Sequence, residues 1–364
     1  MVTITDFFGT TVKWADARGS CPEIIFSTRV RFARNFSGFP FPHRAPDSSL
    51  LSARRLALGA IKSCGLVSRA YYLETGALSS FEKCFLVERH HISHALAAAL
   101  RPSGVVISGD ESLSVMVNEE DHLRVQSIVS GLAIEEAFSA AEKLESALGR
   151  ILPYAYSDKF GCLTACPANA GTGLRVSCLA HLPALSLLGH IPVTLESLSS
   201  LGVTARGIYG EGTCILGDFY QISSSASLGR SEEEFCRSME RAIKNLINRE
   251  MSARETLFQA GDNRKTEDAV YRAYGALKYA RLMSYQEFMR HISLVRLGLA
   301  IGCGFGLDFS ALNQLILLMQ PAHLQLAGGD PRASFKKAKV RGKQLFPPEL
   351  DAFRSDCLRK KLGS

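Results

Sequence analysis

The chain has 364 residues, room for one large folded unit or two ordinary ones, with 46% hydrophobic and 21% charged residues, a globular rather than a disordered balance. The formal charge of +7 suits an anionic small ligand, while the absence of a long Lys/Arg block argues against a nucleic-acid surface. No basic-then-apolar leader opens the sequence, no uncharged apolar run approaches the ~20 residues of a membrane span, and the ten cysteines lack CxxC or Cys/His ligand spacing. A cytoplasmic protein with reduced thiols and no protein-built metal site is therefore expected.

In chain order, residues 1 to about 235 carry short β-like runs punctuated by Gly, Pro, Ser and Asn: EIIFSTRVRFAR, SGVVISGD, SLSVMVN and RGIYGEGTCILGDFYQIS. The last alternates polar and apolar residues as a half-buried strand does. Between them, residues 121–149 and 172–188 read as helices. From residue 231 onward the apolar spacing is three and four, so the pattern is helical, and Ser231 with Glu234 makes a capping box for the first of these helices. The class expected is α+β: an antiparallel sheet flanked by helices, followed by an all-helical C-terminal part. The change of pattern falls between residues 235 and 262, and the domains expected are 1–245 and 246–364.

Four stretches carry chemistry. STRVRFARN (27–35) puts Arg29 and Arg31 on one face of a strand, where two guanidinium groups repel unless an anion lies between them; an exposed basic face is the alternative. NEEDHLR (118–124), with Asn118 as helix cap, would set Glu120 and Arg124 four apart on a helix, either as a solvated helix start or as a carboxylate for a cationic substrate beside a phosphate ligand. GCLTACPANAGTGLR (161–175) is a loop feeding a helix; it is not a P-loop, since no lysine follows the glycines. It offers Cys166, whose thiol nearby cations would favour as thiolate, and Arg175 in the first helical turn. RGIYGEG (206–212) offers Arg206 and Glu211 in a glycine-rich turn, where backbone can approach a ligand. Taken together, five cations could hold a triphosphate with its Mg2+, and two carboxylates could hold one organic cation.

This set of motifs, in this order, resembles the ATP:guanido phosphotransferases, and FLVERHHIS (85–93), FYQIS (219–223), YRAYGALKYAR (271–281) and QPAHLQ (320–325) resemble their bacterial protein-arginine kinase branch. The resemblance implies ATP and Mg2+ as cofactors. It implies nucleotide binding by Ser27, Thr28, Arg29, Val30, Arg31, His90, Arg124, Arg175, Val176, Ser177, Cys178, Leu179, Arg206, Gly207, Ile208, Tyr209 and Gly210. Catalysis would fall to Glu120, Glu211 and Cys166, the two acids holding the substrate guanidinium and the thiol beside it. It further implies protein substrates marked for proteolysis under stress, a homodimer built through the C-terminal helices, a zinc-binding activator of the McsA type and a Clp-type protease as partners. The sequence departs from the family at Thr213, Cys214 and Ile215, where Ser-Glu-Ala is usual. Where the branch carries an Arg-Asp-x-x-Arg-Ala phosphoarginine motif, only Asp330, Arg332 and Ala333 remain. Two other readings stand beside a protein kinase: a kinase for free arginine or another small guanidine, and a non-catalytic module that binds phosphoarginine or nucleotide.

Overall fold

The structure is a computed structural model that describes residues 12–208, 215–225, 229–259, 264–327 and 347–363. In chain order its main elements are β1 (Ile25–Arg34), α1 (Asp47–Cys64), β2 (Tyr71–Glu74), α2 (Ser80–Glu88), α3 (His94–Ala98), β3 (Gly104–Ile107), β4 (Leu113–Val117), β5 (Leu123–Ser130), α4 (Ile134–Gly149), β6 (Tyr156–Ser157), β7 (Gly161–Cys162), β8 (Leu174–His181), α5 (Pro183–Leu187), α6 (Ile191–Ser199), β9 (Val203–Arg206) and β10 (Phe219–Ser224). Six helices follow: α7 (Glu232–Gln259), α8 (Arg264–Tyr279), α9 (Tyr285–Ala300), α10 (Phe309–Leu318), α11 (Pro321–Leu326) and α12 (Pro347–Leu362).

Eight strands form one sheet in the order β2-β3-β4-β5-β1-β8-β10-β9, and every neighbouring pair is antiparallel. The expected α+β architecture is the one observed. One face of the sheet is covered by amphipathic helices. Helix α4 buries Ile134, Ala137, Ala141, Leu144 and Leu148 at three- and four-residue spacing, against Val30, Phe32, Val125 and Val176. Helix α7 adds Phe235, Met239, Ala242, Ile243, Leu246, Ile247 and Ala253 to the same core. Its start is the expected capping box: the Ser231 amide donates to Glu234 Oε2 at 3.2 Å, and the Glu234 amide to Ser231 Oγ at 3.2 Å. The helix is continuous from Glu232 to Gln259, so a division at residue 245 falls inside it.

Three expectations are overturned. Residues 121–149 are not one helix: Leu123–Ser130 is the strand β5 and only Ile134–Gly149 is helical. Residues 172–188 likewise open with the strand β8, so Arg175 stands on a strand, and the helix α5 begins only at Pro183. Asn118 is no helix cap. It turns the β4–β5 hairpin with φ +56°, while its side-chain amide donates to Leu50 O and Pro102 O, both at 2.8 Å.

A second core joins the other end of the sheet to the C-terminal helices. Phe26, Ile128, Leu179, Ile208 and Phe219 pack against Met289, Ile292, Leu312 and Phe353. Buried polar links reinforce it: Ser293 Oγ on α9 donates to Asp218 Oδ2 at 2.7 Å and lies 2.9 Å from His181 Nε2, and Arg296 Nη2 donates to Pro22 O at 2.9 Å. A third cluster sets α2 and α3 on β2–β4 and includes Ala322 and Leu326 of α11. Among the described residues no helix is long and apolar enough to cross a membrane, and the described cysteines are free thiols.

Candidate active site

Strand register brings the arginines together. Arg31 on β1 lies opposite Arg175 on β8 and Gln126 on β5; Ala33 lies opposite Arg124, and Gln221 on β10 lies opposite Arg206 on β9. Directly opposed residues share a face and positions two apart share it again, so Arg29, Arg31, Arg124, Arg175 and Arg206 all project from one side of the sheet. They line a single cavity of about 380 Å³ with His90, Ser93, His94, Glu119, Glu120, Cys166, Asn169 and Gln221. Arg34, three residues beyond Arg31, faces the other way: its Nε donates to Glu145 Oε1 on α4 at 2.7 Å.

The electrostatics of this face call for an anion. Burial, then the charges of Arg175 and Arg124, lower the Arg29 pKa to about 10; burial and the charges of Arg29, Arg175 and Arg124 push Arg31 well below its ordinary value, against a small opposing pull from Glu119. Arg31 Nε is buried without a hydrogen-bond partner among the described residues. A polyphosphate between these groups would relieve both the mutual repulsion and the loss of solvation. Arg124 differs. Burial works against its charge, but Glu119, Asp121 and Glu120 outweigh it and hold the pKa up.

The three consecutive acids take three separate jobs. Glu119 is buried, 2.8 Å from Arg124 Nη1, and accepts from Ser93 Oγ and from the Glu120 amide; burial disfavours its charge, yet Arg124 and these donors keep its pKa low. Glu120 is 44% exposed and accepts from Arg124 Nη2 at 3.1 Å, so its carboxylate stands at the cavity mouth. Asp121 points back into the protein, accepting from Asn35 Nδ2 at 2.6 Å and from the Ala165 amide at 2.7 Å. The Asn35 side chain in turn accepts from the His122 amide at 2.9 Å and donates to Leu163 O at 3.1 Å. This network fastens the β4–β5 hairpin to the loop that carries Cys166.

That loop needs its glycines. Gly173 has φ +65°, and a Cβ there would meet Ala33 O at 2.6 Å; Gly161 has φ +70° and would meet Gly171 O at 2.5 Å. The loop therefore lies flat against β1 and the β6–β7 hairpin, and Cys166 lines the cavity. His90, at φ +60°, is half-buried beside the Trp14 ring at 5.3 Å; loss of solvation, then Arg29 and its neighbours, lower its pKa to about 3, leaving a neutral imidazole. Gln126 Nε2 donates to His90 O at 2.8 Å.

Of the other residues expected in the site, Ser27, Ser177, Leu179 and Ile208 line a small annex that shares Arg29, His90 and Gln221 with the main cavity. Gly207 is buried beside Ile208. Thr28, Val30, Val176 and Cys178 alternate with the arginines, so their side chains point to the opposite face; Val30, Val176 and Cys178 belong to its core, and Thr28 Oγ1 donates to Gly131 O at 2.6 Å. Tyr209, Gly210, Glu211, Asp330, Arg332 and Ala333 lie outside the described residues. Residues 118–124 and 85–93 hold a further cavity acid, Glu119, and a hydroxyl donor, Ser93, that sequence reasoning did not single out. Among the described residues no group of three or more His, Cys, Asp or Glu could hold a metal ion.

Residues 56–253 match the family of the ATP:guanido phosphotransferase C-terminal catalytic domain, and residues 263–364 match the protein-arginine kinase McsB C-terminal domain. The protein-arginine kinase of Pelotomaculum thermopropionicum is 39% identical over 355 residues, covering 96% of both chains. That of Symbiobacterium thermophilum is 40% identical over 356 residues, covering 97% of both. Among solved structures, the duplicated taurocyamine kinase of Schistosoma mansoni with bound transition-state-analogue components superposes with a TM-score of 0.58 at 25% identity, over 68% of this chain and 37% of that one. A lombricine kinase shares the fold at a TM-score of 0.56 and 24% identity, over 67% of this chain and 70% of its own.

Proposed function

The chain belongs to the protein-arginine kinases of the ATP:guanido phosphotransferase family, and from that premise we propose that its cavity transfers the γ-phosphate of ATP to the guanidinium of arginine side chains in proteins. The observation that carries this reading is the convergence of five arginines from four strands on one cavity with a carboxylate at its mouth. The arginines take the triphosphate; Arg29 and Arg31, which repel each other through every state without an anion, gain most from it. The acceptor guanidinium is held at Glu120, with Glu211 as the second carboxylate and Cys166 beside it.

A protonated guanidinium is no nucleophile. Glu120 removes a proton as the nitrogen attacks the γ-phosphorus, and the P–O bond to ADP breaks. Fixed positive charge around the departing and transferring oxygens, together with alignment of acceptor and donor, supplies most of the acceleration. The described carboxylates are too few to cage a metal, so an Mg2+ would take its ligands mainly from nucleotide oxygens; when bound it neutralises phosphate charge. By the same reading the chain works as a homodimer through its C-terminal helices, with an McsA-type activator, and marks proteins for a Clp-type protease in the stress response.

The test is direct. Purified protein with ATP and Mg2+ is offered an unfolded arginine-containing protein or free arginine, and acid-labile phosphate is measured on each. Label on the protein is expected; label on free arginine alone would make the chain a small-guanidine kinase, and label on neither would overturn the reading.

A further inference from the structure

Helix α2 ends at Glu88, and the three residues that follow are held by Glu111, for Arg89 and His91, and by Gln126, for His90. The Glu88 carboxylate is buried and accepts from the backbone amides of Ala322 at 2.8 Å and His323 at 3.0 Å, at the start of α11. It also lies 2.7 Å from Nδ1 of His323. With the Glu88 carboxylate already accepting two amides, His323 Nδ1 is the donor to it; His323 Nε2 is buried without a hydrogen-bond partner among the described residues, which fits a ring protonated on Nδ1 alone. The His323 ring also packs on Phe85, one α2 turn earlier, at 4.5 Å between centroids.

Arg89 and His91 point away from the cavity. Arg89 Nε donates to Glu111 Oε2 at 2.7 Å and its guanidinium lies over the Phe85 ring; His91 Nε2 lies 2.7 Å from the same Glu111 oxygen. Between them His90 takes a left-handed backbone and enters the cavity beside Arg29. Such a conformation persists in a non-glycine residue only where its surroundings enforce it. The enforcing contacts are Glu111 on one side, Gln126 on the His90 carbonyl, and Glu88 on α11.

We propose that the Glu88–His323 pair is a positioning device through which α11 of the C-terminal helices sets His90, and with it the nucleotide end of the cavity. This rests on the reading of the cavity as the ATP site. Neither residue touches the cavity's reacting groups; each acts through the backbone of residues 88–91. The C-terminal helices are then part of the donor site, and a chain deprived of this contact keeps its arginines but holds ATP poorly.

The experiment compares His323→Leu, which removes the donor to Glu88, with His323→Asn, whose Nδ2 stands where Nδ1 stood. Nucleotide affinity is read by equilibrium titration with a fluorescent ATP analogue, and KM for ATP, KM for an arginine-containing protein and kcat are read from turnover. His323→Leu is expected to weaken nucleotide binding and raise KM for ATP by about tenfold, with KM for the protein substrate unchanged and His323→Asn close to wild type. Parallel changes in both KM values, or unchanged nucleotide affinity in a folded His323→Leu protein, would overturn the proposal. If His323→Leu does not fold, Glu88→Gln, which turns one acceptor into a donor facing the α11 amides, is read by the same two outcomes. Nucleotide loss in the variant alongside a wild-type protein that phosphorylates no arginine would support the positioning role and sink the assigned reaction instead.

Discussion

Asn118, at φ +56°, decides where each of the three acids after it points. With the hairpin turned there, Glu119 falls inward onto Arg124, Glu120 reaches the mouth and Asp121 turns back to Asn35. Sequence shows three adjacent carboxylates and cannot rank them, because a helical and a hairpin reading assign the cavity to different members of the set. Glu120 was legible only through its pairing with the other motifs; Glu119, buried and paired, was not. Glu120→Ala is expected to lower kcat by about 10²–10⁴-fold, the usual weight of a general base, while nucleotide affinity stays within about threefold. Single-turnover phosphoryl transfer and ATP-analogue titration measure the two quantities, and turnover close to wild type would remove Glu120 from proton transfer.

At the scale of elements, the alternation of Arg29 and Arg31 on β1 was legible because a strand has period two and the intervening Thr28, Val30 and Phe32 are buried. Strands β5 and β8 were not. They are central strands with most positions buried, and the apolar/polar alternation of LRVQSIVS and LRVSCLAH breaks within about five residues, at Ser127 and at Leu179, too soon to separate a strand from an amphipathic helix. Each also runs on within a few residues into a true helix. The clamp from the β4–β5 hairpin to the Cys166 loop joins residues from three regions of the chain, which no local pattern reveals. Asp121→Ala removes the acceptor of the Ala165 N–H and one of the two acceptors of Asn35 Nδ2, at a cost of roughly 1–3 kcal/mol. Urea titration should show that loss, and kcat should fall at saturating ATP because Glu120 and Cys166 are no longer held in one frame. A variant as stable as the parent would refute the clamp.

For the whole molecule, pH reports on the imidazoles held out of water. His90 and His122 have pKa values lowered to about 3 and about 4, and His181 and His323 are also lowered, in each case first by burial. Folded, these rings take a proton only at lower pH than they do unfolded. The unfolded chain therefore binds more protons as pH falls below about 6.5, and the stability present above that pH is progressively lost. Glu232 works in the opposite sense: burial, with Arg34 opposing and neighbouring glutamates adding, pushes its pKa up to about 7, so its cost is full above that pH and gone below its ordinary value. Urea midpoints are expected to drop between about pH 7.5 and 5 in the parent. Glu232→Gln should raise the midpoint at about pH 8 and leave it unchanged near pH 4; equal gains at both would mean the residue does not titrate as described. The helical character of the C-terminal part was plain from spacing, but its docking was not, since Glu88 and His323 stand 235 positions apart.

The early position of β1 in the chain and its central place in the sheet have a consequence for synthesis. Its two neighbours, β5 and β8, emerge from the ribosome only about a hundred and a hundred and fifty residues after it. Until His181 is out, a nascent chain exposes at least one unpaired border of a strand rich in Ile, Val and Phe, open to any other incomplete copy. The same strand that gathers the arginines in the finished enzyme thus makes the half-made one dependent on shielding, and a chain arrested before Leu174 should be found with chaperones or in aggregates rather than free.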